Sequence, residues 1–349
     1  MSGQLSYGGY LNLGRLLSSQ NPPGLSGPPR PLHHHDEMLF IIVHQVYELW
    51  FKQVLHELVR VRDLVRREPV PESDVQKVVE AFQRIHRIQR MLVDQLGVIE
   101  TMSPVDFLAF RDQLGPASGF QSAQFRELEI LAGLPDSVRY EYEGASFERR
   151  FGAEQVRRFA ELRAEPSLRA ALDTWLARTP IEAGFVANYL AAFDGYVAAQ
   201  RKLHEGNAQL TAEERAKTLG RLDQYRTACR AFLQGERAAI HAACLFIAAY
   251  REEPLLHLPN RFLDSLLEFE ELWRLWRFRH ARMVERMIGL RVGTGGSSGV
   301  DYLDATAGNR YRIFTVILES RSFLIPRRLL PDLKDRRRYG FAHENGGTP

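Results

Sequence analysis

Cysteine is close to absent, with only Cys229 and Cys244 in 349 residues. A disulfide framework is not expected from so few. With no secretory leader pattern at the N-terminus either, the expected setting is a reducing cytoplasm. An excess of one charge is missing too. The 46 basic and 43 acidic side chains leave +3, too weak a field to argue for nucleic acid as a partner. No apolar run is long enough to span a bilayer. The best candidate, residues 38–51, is interrupted by His44, Gln45 and Glu48, so no membrane partner is expected. Alternating Val/Ile/Thr runs bounded by tight turns are nearly absent, which argues against a sheet-based fold, and no fixed-period repeat stands out. Several familiar chemical signatures are also missing. There is no histidine pair four apart around a glutamate, no Gly-Lys-Ser/Thr phosphate loop and no nucleophile elbow.

What is present is long helical periodicity. Apolar residues make up 45% and charged residues 26%, close to the averages for soluble globular proteins, so disorder is not the default. The expected class is all-α, with long core helices and a helical insertion in the middle third. Residues 1–35 read as an N-terminal arm: a short apolar patch at 7–17, then 21–31 with five prolines and two glycines. Helical texture begins near Glu37, with Asp36 as expected N-cap, and runs to about 67 before Pro69 and Pro71. Further helices are expected at 73–96, from Ser103–Pro104, and at 122–132, 152–163, 165–178, 181–205, 211–232, 234–250, 260–290 and 304–323. The main domain is read as 36–330, with 145–240 as an elaboration. Residues 331–349 form a basic tail in which Lys334, Arg336, Arg337 and Arg338 belong to a solvated surface.

Two helices carry an oddity. In the first, Met38, Leu39, Phe40, Ile41, Ile42, Val43, Val46, Leu49, Trp50 and Phe51 cover nearly every face, so burial on all sides is expected, in a core or between subunits. Yet His44, Gln45 and Glu48 sit in its middle, and buried polar groups cost several kcal/mol unless partnered. In the long helix, Phe269, Trp273, Trp276, His280, Val284 and Met287 recur at spacings of three and four. His280 therefore lies in an aromatic and sulfur-rich stripe, either as a core histidine or as a haem ligand. His44 shares a face with Phe40 and Phe51, which suits either a core or a flat apolar ligand with one polar edge. The run His33, His34, His35, Asp36, Glu37 cannot converge on one ion and reads as a capping segment. The glycine-rich segment 293–299 lacks the strand a dinucleotide fingerprint requires, and reads as a loop or an anion nest. Two classes remain open on residue chemistry alone: a haem enzyme, or a helical scaffold with buried histidines.

Six segments in register resemble the tryptophan 2,3-dioxygenases, the animal branch especially: 7–13 (YGGYLNL), 35–53 (HDEMLFIIVHQVYELWFKQ), 100–111 (ETMSPVDFLAFR), 116–122 (PASGFQS), 279–289 (RHARMVERMIG) and 293–299 (GTGGSSG). They span both ends of the chain, with a weaker middle at 145–240. The resemblance implies a helical homotetramer with one b-type haem per subunit, O2 as co-substrate and L-tryptophan as substrate. The implied product is N-formyl-L-kynurenine, the first step of the kynurenine pathway. Position by position, His280 matches the axial iron ligand and His44 the distal histidine that meets the indole N–H. Phe40 and Phe107 match the pocket walls, and Arg111 the partner of the substrate carboxylate. Thr294 matches a contact to the amino-acid end, and Ser118 a polar residue near the haem edge. Tyr7 and Leu11 match residues that complete a neighbouring subunit's pocket. Trp175, Arg178 and Pro180 resemble part of a second, non-catalytic tryptophan site, although the basic residue expected near position 71 is replaced by Val70 or Pro71.

Overall fold

The computed structural model describes residues 6–22, 31–32, 34–114, 119–139, 147–289, 291 and 300–340. Among them there is no strand, and the fold is all-α. The helices are α1 (Tyr7–Tyr10), α2 (Leu13–Leu16), α3 (His35–Val65), α4 (Glu72–Ile99), α5 (Pro104–Arg111), α6 (Ala123–Ala132) and α7 (Ala153–Ala164). They continue as α8 (Leu168–Arg178), α9 (Phe185–Glu205), α10 (Ala212–Gln234), α11 (Ala238–Ala249), α12 (Pro254–Ile288), α13 (Val300–Ala307) and α14 (Thr315–Arg321).

Local chemistry explains most boundaries. Ser103 and Ser122 accept the backbone N–H groups of Asp106 and Phe125, each at 3.2 Å, and so open α5 and α6. Thr211 and Glu214 form a reciprocal capping box at α10. Gly133 ends α6 in the left-handed region at φ 101°, and a Cβ there would meet Ser167 Oγ at 2.6 Å. Only glycine lets the end of α6 approach the start of α8 so closely.

The centre is a three-helix layer in which α12 packs along α4 and α4 along α3. Leu58, Phe82, Leu92 and Phe269 are essentially fully buried there, each contributing on the order of 1.5–3 kcal/mol. Against this layer α6 leans on α3, and α13 on α12, while α8, α11 and α14 cover the far end.

Three expectations need correction. The N-cap of α3 is His34, whose Nδ1 accepts the Asp36 N–H at 3.2 Å; Asp36 instead lies in the first turn, where the helix dipole favours a carboxylate. The long helix begins at Pro254 rather than 260. Pro254 occupies the first turn and Pro259 lies early enough to forfeit a single backbone bond. The expected helix at 304–323 is two helices, α13 and α14. Glu270, buried on α12, takes the N–H groups of Ile313 and Phe314, so the backbone there is satisfied without a helical ladder.

Helix α3 is also less enclosed within one chain than its composition implies. Met38, Ile42 and Leu49 remain 38%, 43% and 50% exposed, and recur along one side of the helix. Its polar residues do find partners. Gln45 is held by Gln20 and the Ser19 carbonyl at the base of the arm, at 2.7 and 3.0 Å.

Candidate active site

One cavity of about 280 Å³ opens between α3, α5, α6, α12 and α13, and its lining is mostly apolar. That volume is near the lower end for small-molecule sites. Phe40, His44, Phe107, Arg111 and His280, expected from sequence to act together, all line it.

The aromatic wall is continuous. The Phe40 ring lies 4.2 Å from His44 and 5.8 Å from Phe107, and Phe110 packs edge-on against both Phe40 and Phe107. These residues come from adjacent turns of α3 and α5, so one helix pair builds the whole wall.

His44 has a defined tautomer. Its Nδ1 lies 2.7 Å from the Phe40 carbonyl oxygen one turn back. A carbonyl only accepts, so Nδ1 carries the hydrogen and Nε2 of the neutral ring keeps a lone pair. The ring retains accessible surface, yet burial lowers its pKa, opposed by the Phe40 hydrogen bond and by Glu48. The two observations agree once the accessible side is taken as the cavity side: the surrounding protein is dense, but the ring faces open volume.

His280 faces the same cavity from α12. Its ring stacks on Trp276 at 5.0 Å and 5°, a pairing that follows from i,i+4 spacing on one helix face. Burial, helped by His44, lowers its pKa to about 4. The ring is therefore neutral near pH 7, the form that can ligate a metal. Its Nδ1 is buried without a hydrogen-bond partner among the described residues.

A charged cluster closes one side. Glu129 of α6 binds Arg126 at 3.0 Å, Arg139 at 2.5 Å and Arg277 at 2.8 Å. Burial alone would raise this carboxyl's pKa, but the three guanidinium groups outweigh it and hold the value at about 2. Arg277 also donates to the Thr306 carbonyl at 3.2 Å, tying α13 to the helix that carries His280. Sequence reasoning missed this cluster. A charge inside the apolar run Leu128–Leu131 was the available signal, as was Arg277 one turn before His280. Tyr47, also in the lining, donates to the Leu92 carbonyl at 2.7 Å. Burial pushes its phenol up to about 12, so it titrates far above neutrality.

Other expected residues lie elsewhere. Tyr7 and Leu11 sit on the arm, 77% and 42% exposed, away from this chain's own cavity. Ser118, Thr294 and the segment 293–299 lie outside the described residues. Arg178 is occupied by the carbonyls of Val65 and Arg67 and by Glu68 at 3.5 Å, while Trp175 packs edge-on against Phe262.

With that geometry in place, comparison with known proteins is informative. A family model described as tryptophan 2,3-dioxygenase matches residues 1–324. The chain is 39% identical to the tryptophan 2,3-dioxygenase of Sorangium cellulosum, over 98% of this chain and 88% of that protein. Tryptophan 2,3-dioxygenase 2 of Ralstonia nicotianae is 41% identical, over 97% and 98% respectively. The Xenopus laevis enzyme is 38% identical, over 95% and 85%.

Proposed function

The chain belongs to the tryptophan 2,3-dioxygenase family, and from that premise we propose how its cavity carries out the family's reaction. The protein is a dioxygenase that cleaves the indole C2–C3 bond of L-tryptophan with O2, giving N-formyl-L-kynurenine. The observation that carries the residue assignment is the pairing of two neutral imidazoles, His44 and His280, in one apolar cavity that also holds Arg111.

The residues suit a b-type haem. His280 offers a neutral ring in an apolar lining. No group of three or more His, Cys, Asp or Glu able to cage a bare ion is found among the described residues. A metal held here would bring most of its own ligands, as a porphyrin does, and His280 would be the residue that holds it from the protein side. When bound, haem supplies dioxygen activation at its iron for addition across the indole double bond.

The rest falls to the chain. The Nε2 lone pair of His44 accepts the indole N–H, because its Nδ1–H is committed to the Phe40 carbonyl. Phe40 and Phe107, packed against each other, form one wall along the flat ring and exclude water. Arg111, at the end of α5, pairs with the substrate carboxylate through its planar fork. The family resemblance adds Ser118 as a haem-edge residue and Thr294 as a contact to the amino-acid end; both lie outside the described residues.

The same reading makes the chain a homotetramer in which Tyr7 and Leu11 enter a neighbouring subunit's pocket. Its support is the exposure of those side chains together with the apolar stripe of Met38, Ile42 and Leu49 on α3. A cytoplasmic location is supported by two buried cysteines that form no disulfide. The direct test is to reduce the purified protein anaerobically, add L-tryptophan, admit oxygen and follow the formylkynurenine absorbance. A haem-loaded protein that produced none would end the proposal.

A further inference from the structure

Glu48 stands out among the residues around the cavity. It lies one turn beyond His44 on the same helix, and both side chains line the cavity. Its described side-chain partner is an amide rather than a cation. Gln124 Nε2 of α6 donates to the Glu48 carboxylate at 2.8 Å and to the Glu48 carbonyl at 2.8 Å. The other carboxylate in the lining, Glu129, has three guanidinium partners. A half-buried carboxylate facing an apolar cavity with only an amide beside it costs stability, so its placement calls for a reason other than packing.

We propose that Glu48 is a positioning residue for the reaction, its carboxylate fixed by Gln124 so that it governs the pH below which His44 stops accepting the indole N–H. The inference rests on the assignment of His44 given above. Only the neutral ring has an Nε2 lone pair; the imidazolium has donors on both nitrogens and nothing to offer an N–H. A fixed negative charge one turn away favours the imidazolium. The other charged groups around His44 are Arg111 on α5, Arg126 and Glu129 on α6, and Arg277 and His280 on α12. Glu129 is balanced by its guanidiniums, so beside the Phe40 carbonyl hydrogen bond Glu48 is left as the charged group that works against the burial of His44. Consistent with this, Glu48 is the one carboxylate that pulls the His44 pKa upward. Its charge also reaches α6, where it adds to the burial that raises Glu127.

The amide clamp matters as much as the charge. Because Gln124 donates to both the side chain and the main chain of Glu48, the carboxylate cannot swing away from the face it shares with His44. The expected consequence is a definite acid limit on substrate binding.

The test compares native holoenzyme with Glu48→Gln and Glu48→Asp. Hydrogen exchange at the imidazole C2 position of His44, read by mass spectrometry against pH, gives the ring's own midpoint. In Glu48→Gln that midpoint should fall by about half a pH unit, the scale of a one-turn charge pair with some burial. The acid limb of L-tryptophan affinity should fall with it, while Glu48→Asp, which keeps the charge, stays near native on both. A purely structural Glu48 would change stability and leave both midpoints in place, which overturns the proposal. It is equally overturned if the imidazole midpoint moves but the acid limb of affinity does not. A native protein that bound no L-tryptophan at any pH would sink the functional assignment instead, and the imidazole midpoints would still decide whether Glu48 controls His44.

Discussion

Glu129→Gln is the substitution whose cost can be worked most directly from the structure. The carboxyl is 5% exposed and touches three guanidinium groups. Its pKa falls from the ordinary glutamate value of 4.5 to about 2. At about 1.4 kcal/mol per unit, ionised Glu129 stabilises the fold by roughly 3 kcal/mol. An independent route gives a similar figure, since breaking a buried ion pair by removing one partner costs about 3–5 kcal/mol. The entropy of unfolding a chain of this length converts such a loss into a fall in Tm of about 4–7 °C.

The sign of the pH dependence makes the test sharper. A depressed folded pKa contributes stability that is fully present above the unfolded value and is lost as pH falls towards the folded one. The contribution is therefore near maximal at pH 7. By pH 3 less than about half should remain, because the carboxyl of the unfolded chain is by then protonated while that of folded Glu129 is still held ionised by its guanidinium partners. Thermal denaturation of both proteins from pH 7 down to pH 3 should show a gap in Tm that narrows across the lower part of that range. A gap that stayed constant would mean that the loss comes from packing rather than from charge, and the electrostatic account of the cluster would be wrong.

Three further outcomes are expected. His280→Ala should abolish stoichiometric haem binding, or leave a haem whose spectrum is restored by added imidazole; a normal histidine-ligated spectrum without imidazole would count against the axial assignment. Arg111→Ala should reduce kcat/KM by about ten- to a hundredfold, from a charge-assisted hydrogen bond of roughly 1.5–3 kcal/mol. It should also lose much of the preference for tryptophan over tryptamine, since both changes delete the same contact; a mutant that discriminated as strongly as the native protein would show the carboxylate to be held elsewhere. Deleting residues 1–15 should raise KM for tryptophan while sparing most haem binding, and an unchanged KM would contradict the cross-subunit role of Tyr7 and Leu11.

Much of the helical order was legible because its signals are local. Pro69 and Pro71 mark the end of α3, Ser103 and Ser122 announce their helices, and the three- and four-residue spacing from Phe269 to Met287 traces the face of α12. Two misreadings were of local end signals, the His34 cap and the start at Pro254, and the third arose where a distant side chain overrode local preference. The break between α13 and α14 depends on Glu270, whose position on α12 is invisible to a local pattern. The site divides the same way. His44 and His280 stood out as imidazoles within apolar stripes, whereas the Glu129 cluster draws on α6, the segment after it and α12, and spacing cannot reveal such a meeting. The tautomer of His44 is intermediate: the i–4 carbonyl is implied by the helix, but that the ring uses it is a fact of the fold.

The cavity's lining runs from Phe40 to Thr306, nearly the length of the chain, and this has a consequence for how the protein is made. At ribosomal rates of about 5–20 residues per second, on the order of tens of seconds separate the emergence of the first wall from the last. During that interval Phe40, Val43 and Phe107 have no opposite wall, because Trp276, His280, Met283 and Met287 have not yet been synthesised. The nascent chain then presents an apolar groove rather than a pocket. That groove is the surface on which chaperones or premature self-association would act, and the arrival of α12 is the event that ends the exposure.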